Sequence, residues 1–426
     1  MNAIIWFRNE LRVADNMLLS VASKYENVYP VYCFEEEEFG KVDLGMDKTG
    51  AFRAQFIRES IEDLRKSLKE LGSNLIVRQG NSVSIIATLA QELNAQAVLA
   101  SKEVTHEEVI REKQLQVMLP EGSELQLYWQ STLYHLSDLP IEIGELPEVF
   151  TNFRKIVEKK SMVRDLVTPT KTLPSIHDIN FGEIPSLAQL GLQSVAVDSR
   201  TAIQFHGGES AAKERMQHYF WETEKVASYK ETRNGLIGSD YSSKFSPWLA
   251  LGCLSPRTIF HEIKRFENAI KKNSSTYWLI FELIWRDYFR FMALKHGNKL
   301  FQKGGILGKY QPSRKHETSF RRWCDGATGV DFVDANMLEL KLTGFMSNRG
   351  RQNVASFLVN DLNIDWRWGA TYFESMLIDY DPCSNWGNWT YVAGVGNDPR
   401  QDRYFNITTQ AERYDPNGEY VDLWLG

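Results

Sequence analysis

The chain has 426 residues, 43% of them hydrophobic and 24% charged, with a formal net charge of −6. Because a single hydrophobic core rarely grows beyond roughly 250–300 residues, a chain of this length is predicted to form at least two domains. Its four cysteines are widely separated, which argues against a disulfide scaffold, a zinc site or an iron–sulfur cluster and favours a reducing compartment. No apolar run is long enough to span a membrane and the N-terminus has no signal-peptide pattern, so a cytoplasmic protein is predicted.

The first 130 residues alternate short apolar runs with amphipathic stretches. The runs at 3–7, 28–34, 74–78, 97–101 and 124–129 resemble buried strands, and 52–71, 82–93 and 105–119 have helical periodicity. Strands that alternate with helices predict a parallel, Rossmann-like sheet. The glycine fingerprint of dinucleotide-binding sheets is missing after the first strand, where Arg8-Asn9-Glu10 stands instead, so binding in the manner of NAD is not expected there.

A connector separates this region from a second half in which the patterns are helical. Prolines at 140, 147, 169, 174 and 185 interrupt any long element in the connector. From residue 207 onward the clearest helical stretches are 210–219, 256–266, 277–295, 334–342 and 349–360. The predicted architecture is an α/β domain at 1–135, a linker at 136–206 and an all-helical domain at 207–426.

Charge is distributed unevenly along the chain. Residues 1–140 carry 14 Lys and Arg against 21 Asp and Glu, whereas residues 264–322 carry 14 against 4. A local basic surface is what contacts with nucleic-acid phosphates require, whatever the global sum. Solvated helix faces leave the same pattern in a sequence, so both interpretations stay open.

The segment 379–391 is the most unusual in the chain. It combines two acids, several small polar or amide side chains and three aromatic rings around Pro382 and Gly387, without the apolar stripe of an ordinary helix. The pattern predicts a loop that presents polar groups and rings to a flat, redox-active ligand. An aromatic-rich buried loop is the alternative.

Three further segments have a pattern with a physical use. Residues 241–248 place hydroxyls and Lys244 ahead of Pro247, which suits an anion site at a helix start but also a simple helix cap. Glu282 and Arg286 are four residues apart on an apolar helix, where an ion pair within the helix is the simplest interpretation. In 344–353, Asn348 and Gln352 lie on one helical face.

These four segments together closely resemble the cofactor pocket of the photolyase/cryptochrome family. Residues 229–235, 334–337 and 386–391 resemble its cryptochrome DASH group, whose members are similar to photolyases that repair cyclobutane pyrimidine dimers, chiefly in single-stranded DNA. The resemblance implies FAD, with the diphosphate held by 242–246. The FAD-binding residues it implies are Tyr229, Ser242, Ser243, Lys244, Phe245, Ser246, Arg286, Phe345, Arg349, Arg351, Asp379, Asp381 and Asn385.

The resemblance also assigns roles within the pocket. Asp379 and Asp381 would contact the ribose and the edge of the flavin ring, and Arg351 would lie near the flavin. Arg349 would lie close to the phosphates or to Asp379. Asn385 would sit beside the reactive ring nitrogen.

A substrate face is implied as well. Glu282 would hydrogen-bond a pyrimidine base, Trp285 would stack on it and Asn348 would face it, with Gln352 and Tyr391 as the choices typical of the DASH group. The (6-4) photolyases carry two histidines at the positions of Asn348 and Gln352, which argues against that chemistry. The prediction is a light-driven photolyase that acts as a monomer on single-stranded or damaged DNA, without a metal. A non-enzymatic blue-light receptor and a flavin electron carrier are the alternatives.

Two accessory features follow from the same resemblance. A methenyltetrahydrofolate antenna is expected between the domains near Phe34 and Glu107, with Glu103 as the less favoured acid. An electron relay of three tryptophans is expected to include Trp389 as its inner member and Trp366 as its middle member. Ser313 stands where the outer one belongs, and Tyr310, Trp323 or Tyr288 are the candidate replacements.

Overall fold

The computed structural model describes residues 1–174, 176, 179–309, 312–400 and 404–426. Its N-terminal part contains a five-stranded sheet in the order β3-β2-β1-β4-β5, in which every neighbouring pair is parallel. The strands are β1 Asn2–Phe7, β2 Asn27–Glu35, β3 Ile76–Gly80, β4 Ala95–Ser101 and β5 Glu124–Tyr128. The predicted Rossmann-like sheet is therefore confirmed, with β3 beginning two residues later than its apolar run indicated.

Side chains that alternate along the strands fill both faces of the sheet. Ile5 and Phe7 belong to a core that continues into the helical part of the chain, whereas Ile4 and Trp6 pack with the helices on the other face. Both faces are covered, as parallel sheets require, and the inner strands β1 and β4 are apolar and buried along almost their whole length for that reason.

Seventeen α-helices accompany the sheet in the described part of the chain. The N-terminal region and the connector contain α1 Met17–Ala22, α2 Ala51–Glu70, α3 Ser82–Glu92, α4 His106–Met118 and α5 Phe150–Lys160. The second half contains α6 Glu209–Gln217, α7 Tyr229–Thr232, α8 Ser246–Ala250, α9 Pro256–Ala269, α10 Ser274–His296, α11 Glu317–Cys324, α12 Asp331–Thr343, α13 Asn348–Ser356, α14 Trp366–Met376, α15 Pro382–Val392, α16 Ile407–Tyr414 and α17 Glu419–Leu425. None of the helices described is both long and apolar enough to cross a membrane.

Two predictions about these elements need correction. The connector contains the 11-residue helix α5, because the prolines lie on either side of it and leave 150–160 free to form an amphipathic helix. The helix predicted over 349–360 ends at Ser356 and continues as a π-helical turn at Phe357–Asp361. Such turns insert one residue into the helical ladder and are frequent at functional sites.

Buried polar contacts hold the sheet region against the helices. Asp15 pairs with Arg257 at 2.7 Å, and both side chains are buried. Asp287 of α10 accepts the backbone N–H groups of Leu133 and Tyr134 at 2.9 and 2.8 Å. The first contact holds α9 and the second holds α10 against the sheet region, and α10 supplies lining residues of the candidate site.

Candidate functional site

The segment 382–392, predicted as a loop, is the helix α15. Asp381 caps it by accepting the N–H of Ser384 at 2.7 Å, and Pro382 occupies the first turn, where no N–H is needed. A Cβ on Gly387 would lie 2.3 Å from the ring of Phe289, so glycine there permits the close approach of α15 to α10. The helix packs on several sides and its polar residues line a cavity, which is why no single apolar stripe is visible.

Two adjoining cavities, of about 270 and 110 Å³, lie among the helices of the second half. They share Asn348, Arg351, Asp379, Asp381 and Ser384 as lining residues. The larger is also lined by the predicted residues Tyr229, Ser242, Ser243, Lys244, Phe245, Ser246, Glu282, Arg286 and Phe345. The smaller adds Gln352, Asn385 and Trp389. The structure thus gathers residues that are up to 160 positions apart around one site.

The loop 239–245 lines one part of the larger cavity through Ser242, Ser243, Lys244 and Phe245. The Arg215 guanidinium holds it by donating to the carbonyls of Ser239, Ser242 and Ser243 at 3.0–3.1 Å. Lys244 is 3% exposed, and its Nζ has no hydrogen-bond partner. Burial lowers the pKa of Lys244 well below its usual range, against the opposing charge of Glu339. A buried, unpartnered ammonium beside three serines fits a bound phosphate.

On the facing wall, Arg351 donates to Asp379 Oδ2 at 2.8 Å. The other oxygen of that carboxylate, Oδ1, is buried and has no hydrogen-bond partner. A Cβ on Gly350 would lie 2.0 Å from Asn336 Oδ1, so this glycine lets α13 approach α12 and directs Arg351 at the cavity. A carboxylate oxygen and a lysine Nζ that both lack a hydrogen-bond partner, in the lining of one cavity, match a cofactor that has both hydrogen-bond donors and anionic groups.

The residues of α10 have different partners from those their spacing indicated. Glu282 bonds to Arg233, and Arg286 donates to the backbone carbonyls of Ser131 and Leu249. The expected Glu282–Arg286 ion pair is therefore wrong. Burial raises the pKa of Glu282, with Arg233 opposing the shift.

Asp381 lies between the two guanidinium groups of α10. Burial by itself would raise the pKa of Asp381, but Arg290, Arg286 and the N–H of Ser384 outweigh it and lower the pKa. Asp381 is therefore an anion at neutral pH. Asn385, one turn further along α15, donates Nδ2 to the carbonyl of Ala370 at 3.0 Å and lines the smaller cavity.

Aromatic rings extend the site beyond the cavity lining. Trp285 stacks on Phe150 with ring centroids 3.6 Å apart and meets Tyr391 edge-on at 5.8 Å. Phe150 begins α5, so the connector contributes a ring to the predicted substrate face. The sequence interpretation missed Phe150, Arg215 and Arg233, since nothing local distinguishes them.

The resemblance placed Arg349 close to the phosphates or to Asp379, and the contacts that the structure describes for it are with other residues. Its guanidinium bonds to Gln352 Oε1 at 2.8 Å and to Asn234 Oδ1 at 2.9 Å, and it is not a lining residue of either cavity. The arginine that meets Asp379 is Arg351. Arg349 thus contacts the side chain of Gln352 on the same helix.

The predicted relay residues are both buried, each 2% exposed. Trp389 meets Phe373 at 5.1 Å and Trp323 at 6.4 Å between ring centroids, whereas Trp366 meets Trp386 at 5.7 Å. Among the described candidates, Trp323 is therefore the one that contacts Trp389, a lining residue of the smaller cavity.

The other two candidates for the outer relay position are Tyr288 and Tyr310. Tyr288 packs against Phe150, Phe153 and Trp285, in the core on the other side of α10. Tyr310 lies outside the described residues.

A third cavity, of about 500 Å³, lies between the sheet region and the helical region. Glu107 lines it, and Lys48 bonds to that carboxylate. Phe34 is fully buried and is not a lining residue; its neighbours Tyr32 and Phe39 line the cavity instead. Glu103 does not line the cavity either, because its carboxylate is buried and pairs with the Arg290 guanidinium at 2.9 Å.

The basic stretch 264–322 is only partly a surface feature. Arg286 and Arg290 point into the interior and bond there to carbonyls and to Glu103. The exposed basic residues of the stretch are Arg265, Lys271, Lys272, Lys299, Lys309, Arg314, Lys315, Arg321 and Arg322. The exposed positive charge is smaller than the sequence count suggested.

Comparisons with known proteins agree with this geometry. Residues 3–175 match the family described as DNA photolyase, and residues 278–426 match the FAD binding domain of DNA photolyase. The chain is 51% identical to Cryptochrome DASH of Gloeobacter violaceus over 424 residues, which is 99% of this chain and 85% of that protein. It is 50% identical to Cryptochrome DASH of Synechocystis sp. over 429 residues, which is 99% of this chain and 87% of that protein.

Solved structures give the same result. The crystal structure of Synechocystis sp. PCC6803 cryptochrome superposes with a TM-score of 0.96 at 49% identity, covering 100% of this chain and 88% of that one. A bacterial class III photolyase from Agrobacterium tumefaciens superposes with a TM-score of 0.84 at 28% identity, covering 100% of this chain and 86% of that one. The chain therefore belongs to the photolyase/cryptochrome family, within its cryptochrome DASH group, and carries that family's FAD-binding domain.

Proposed function

We propose that the protein is a FAD-dependent, blue-light-driven photolyase that splits cyclobutane pyrimidine dimers, preferentially in single-stranded DNA. One observation carries the proposal. The cavity that contains the unpartnered Lys244 and the free oxygen of Asp379 is also lined by Glu282 and Asn348, the polar side chains expected at the lesion. The residues proposed for the cofactor and those proposed for the substrate therefore line one cavity.

In this proposal the chain holds FAD through groups at both ends of the cavity. Ser242, Ser243 and Lys244 bind the diphosphate, and Asp379 accepts a hydrogen bond from the ribose or the ring. Asn385 is placed by its bond to the Ala370 carbonyl to offer its side-chain oxygen to a ring N–H. When bound, FAD supplies light absorption and a transferable electron, while the protein supplies binding, orientation and a low-dielectric surrounding.

The substrate dimer enters on the α10 side. Glu282, kept in place by Arg233, hydrogen-bonds a pyrimidine edge, and Asn348 faces the same space. The Trp285–Tyr391 pair offers aromatic faces to an extruded base, and stacking of this kind is worth about 1–3 kcal/mol per base. A single strand avoids most of the unpairing cost of a few kcal/mol, which favours it over duplex DNA.

The interdomain cavity is the proposed position of a methenyltetrahydrofolate antenna. Its volume suits a pterin ring with a short tail, and Glu107 with Lys48 offers a charged edge to it. Trp389, which lines the cofactor cavity, is the proposed inner electron donor, followed by Trp366 or Trp323. A cytoplasmic location and a monomeric state stay predictions.

Repair of defined lesions under blue light tests the proposal. Oligonucleotides that contain one cyclobutane dimer, single-stranded or in duplex, would be illuminated with FAD-loaded protein or kept dark. We expect light-dependent repair that is faster on the single strand, unchanged in Glu142→Ala, an exposed site in the connector. Lesion binding without repair would favour the photoreceptor alternative, and repair of (6-4) lesions would refute the substrate assignment.

A further inference from the structure

One buried guanidinium holds the loop 239–245 from outside the larger cavity. Arg215 of α6 is 6% exposed and does not line that cavity. Its N–H groups donate to four oxygens of the loop, namely the carbonyls of Ser239, Ser242 and Ser243 at 3.0–3.1 Å and Asp240 Oδ1 at 2.8 Å. Because a guanidinium carries its N–H donors in a rigid fork, these contacts fix the position of the loop relative to α6.

The direction of the loop peptides follows from these contacts. In a trans peptide, the C=O bond of one residue and the N–H bond of the next residue point in opposite directions. Because the carbonyls of Ser242 and Ser243 face Arg215, the N–H groups of Ser243 and Lys244 point away from it. Both of these residues line the cavity, and neither N–H donates a hydrogen bond within the described part of the chain. Two successive backbone donors therefore lack a partner next to the Lys244 ammonium.

The same contacts hold a backbone conformation that a lysine rarely adopts. Lys244 has φ +55°, in the left-handed region, and Phe245 follows with φ −77° and ψ −8° in the right-handed region. Residues of opposite hand in succession form a concavity of N–H groups that binds anions. A left-handed lysine persists only where the surrounding structure holds it, and Arg215 bonds to the two carbonyls that immediately precede Lys244. The Lys244 side chain is itself 3% exposed and its Nζ has no hydrogen-bond partner.

We propose that Arg215 is a positioning residue for the FAD diphosphate, which it does not touch. By holding the loop carbonyls outside the cavity, it turns the N–H groups of Ser243 and Lys244 toward the phosphates and keeps the Lys244 ammonium beside them. The proposal rests on the assignment of FAD to this cavity and deepens it. Asp240 does not line the cavity and pairs with Arg215 at 2.8 Å, so the charge that the diphosphate meets on this loop is that of Lys244.

Arg215→Lys is the variant that separates the charge of the side chain from its geometry. Lysine keeps a positive charge beside Asp240 but loses the planar fork that reaches three carbonyls at once. The loop peptides can then rotate, and the backbone hydrogen bonds to the diphosphate are weakened. Because hydrogen bonds to charged groups are the strong ones, we expect the dissociation constant for FAD to rise roughly 10- to 150-fold.

Arg65→Lys is the matched control. Arg65 of α2 also donates to three carbonyls, those of Leu75, Phe181 and Gly182 at 2.9–3.1 Å, but it lines neither cofactor cavity. Urea denaturation of the cofactor-free proteins measures stability, and fluorescence titration with FAD measures affinity. We expect both variants to be less stable than the wild type and only Arg215→Lys to bind FAD more weakly. An equal loss of affinity in both variants would show a general effect on the fold and overturn the inference.

A double-mutant cycle with Lys244→Met tests whether Arg215 acts through the loop. If Arg215 positions Lys244, part of its effect on FAD binding is lost once the ammonium is absent. The dissociation constant of the double variant should therefore rise by less than the product of the two single fold-changes, as expected for residues that act on one another. Fold-changes that simply multiply would overturn the inference, because they would show that the two side chains act independently.

The outcomes separate the inference from the cofactor assignment. Equal affinity for FAD in the wild type and Arg215→Lys overturns the inference and leaves the site intact, whereas absence of FAD binding by the wild type refutes the site itself. Where Arg215→Lys does not fold, amide hydrogen exchange of segment 242–245 in the wild type decides. Exchange should slow when FAD binds, because the N–H groups of Ser243 and Lys244 then donate to the phosphates, and unchanged exchange overturns the inference.

Discussion

Replacement of Lys244 by methionine should have opposite effects on the cofactor-free protein and on cofactor binding. Without cofactor, the ammonium is buried, unpartnered and enclosed by the Tyr241 and Phe345 rings. Methionine fills nearly the same volume and needs no hydrogen bond, so Lys244→Met should stabilise the cofactor-free protein. Removal of an unsatisfied buried polar group is worth about 1–3 kcal/mol.

The same change removes a charge-assisted hydrogen bond to the diphosphate. Such bonds contribute about 1.5–3 kcal/mol, which corresponds to an increase of roughly 10- to 150-fold in the dissociation constant for FAD. Lys244 has φ +55°, in the left-handed region, and methionine tolerates this no better or worse than lysine. Backbone strain at this position therefore contributes equally to the wild type and to Lys244→Met.

Urea denaturation of the cofactor-free protein and fluorescence titration with FAD measure the two effects. Both are best done at pH 6, because burial raises the pKa of Glu339 to about 7 and this acid is then protonated, so the substitution leaves no buried carboxylate without a countercharge. Lys271→Met, at an exposed position, is the control and should change neither quantity. A variant that is less stable without cofactor, or that binds FAD as tightly as the wild type, would contradict the assignment of Lys244 to the phosphate.

Three other predictions test the remaining assignments. Glu282→Ala or Asn348→Ala should weaken lesion repair by about 1–3 kcal/mol, because each leaves one hydrogen-bonding group without a partner in the complex. The measurement is the repair rate under limiting substrate. An unchanged rate would remove these residues from the site. Trp389→Phe should nearly abolish photoreduction of the flavin by an external thiol, and Ser313→Trp should accelerate it. Both rates are measured as the loss of flavin absorbance under illumination. A wild-type rate in Trp389→Phe would show that the relay assignment is wrong. Burial raises the pKa of Glu374 to about 7, so its ionisation destabilises the fold as pH rises from the unfolded value toward 7. Glu374→Gln should therefore gain stability relative to the wild type between pH 5 and 8, by at most about 3 kcal/mol, and an equal pH dependence in both proteins would exclude a raised pKa.

The sequence by itself determined the local elements and the chemistry available to them. Apolar runs of strand length between amphipathic helices fixed the parallel sheet, because a βαβ order admits few alternatives. The 241–248 and 379–391 segments, singled out by their residues and by the family resemblance, contribute lining residues to the same pair of cavities in the structure. The first result depends on a repeating period and the second on residue types within short segments, and a single sequence contains both.

Tertiary structure decided which side chains meet. Spacing placed Arg286 beside Glu282, but the partner is Arg233, which approaches from a different element. The segment 382–392 lacked an apolar stripe and was predicted as a loop, yet it is a helix because a cavity on one side and packed aromatic rings on others satisfy its mixed faces. Periodicity reports that a face is buried, but the burial itself comes from residues far along the chain. The pairing of buried charges and the environment of each polar group are therefore properties of the folded molecule.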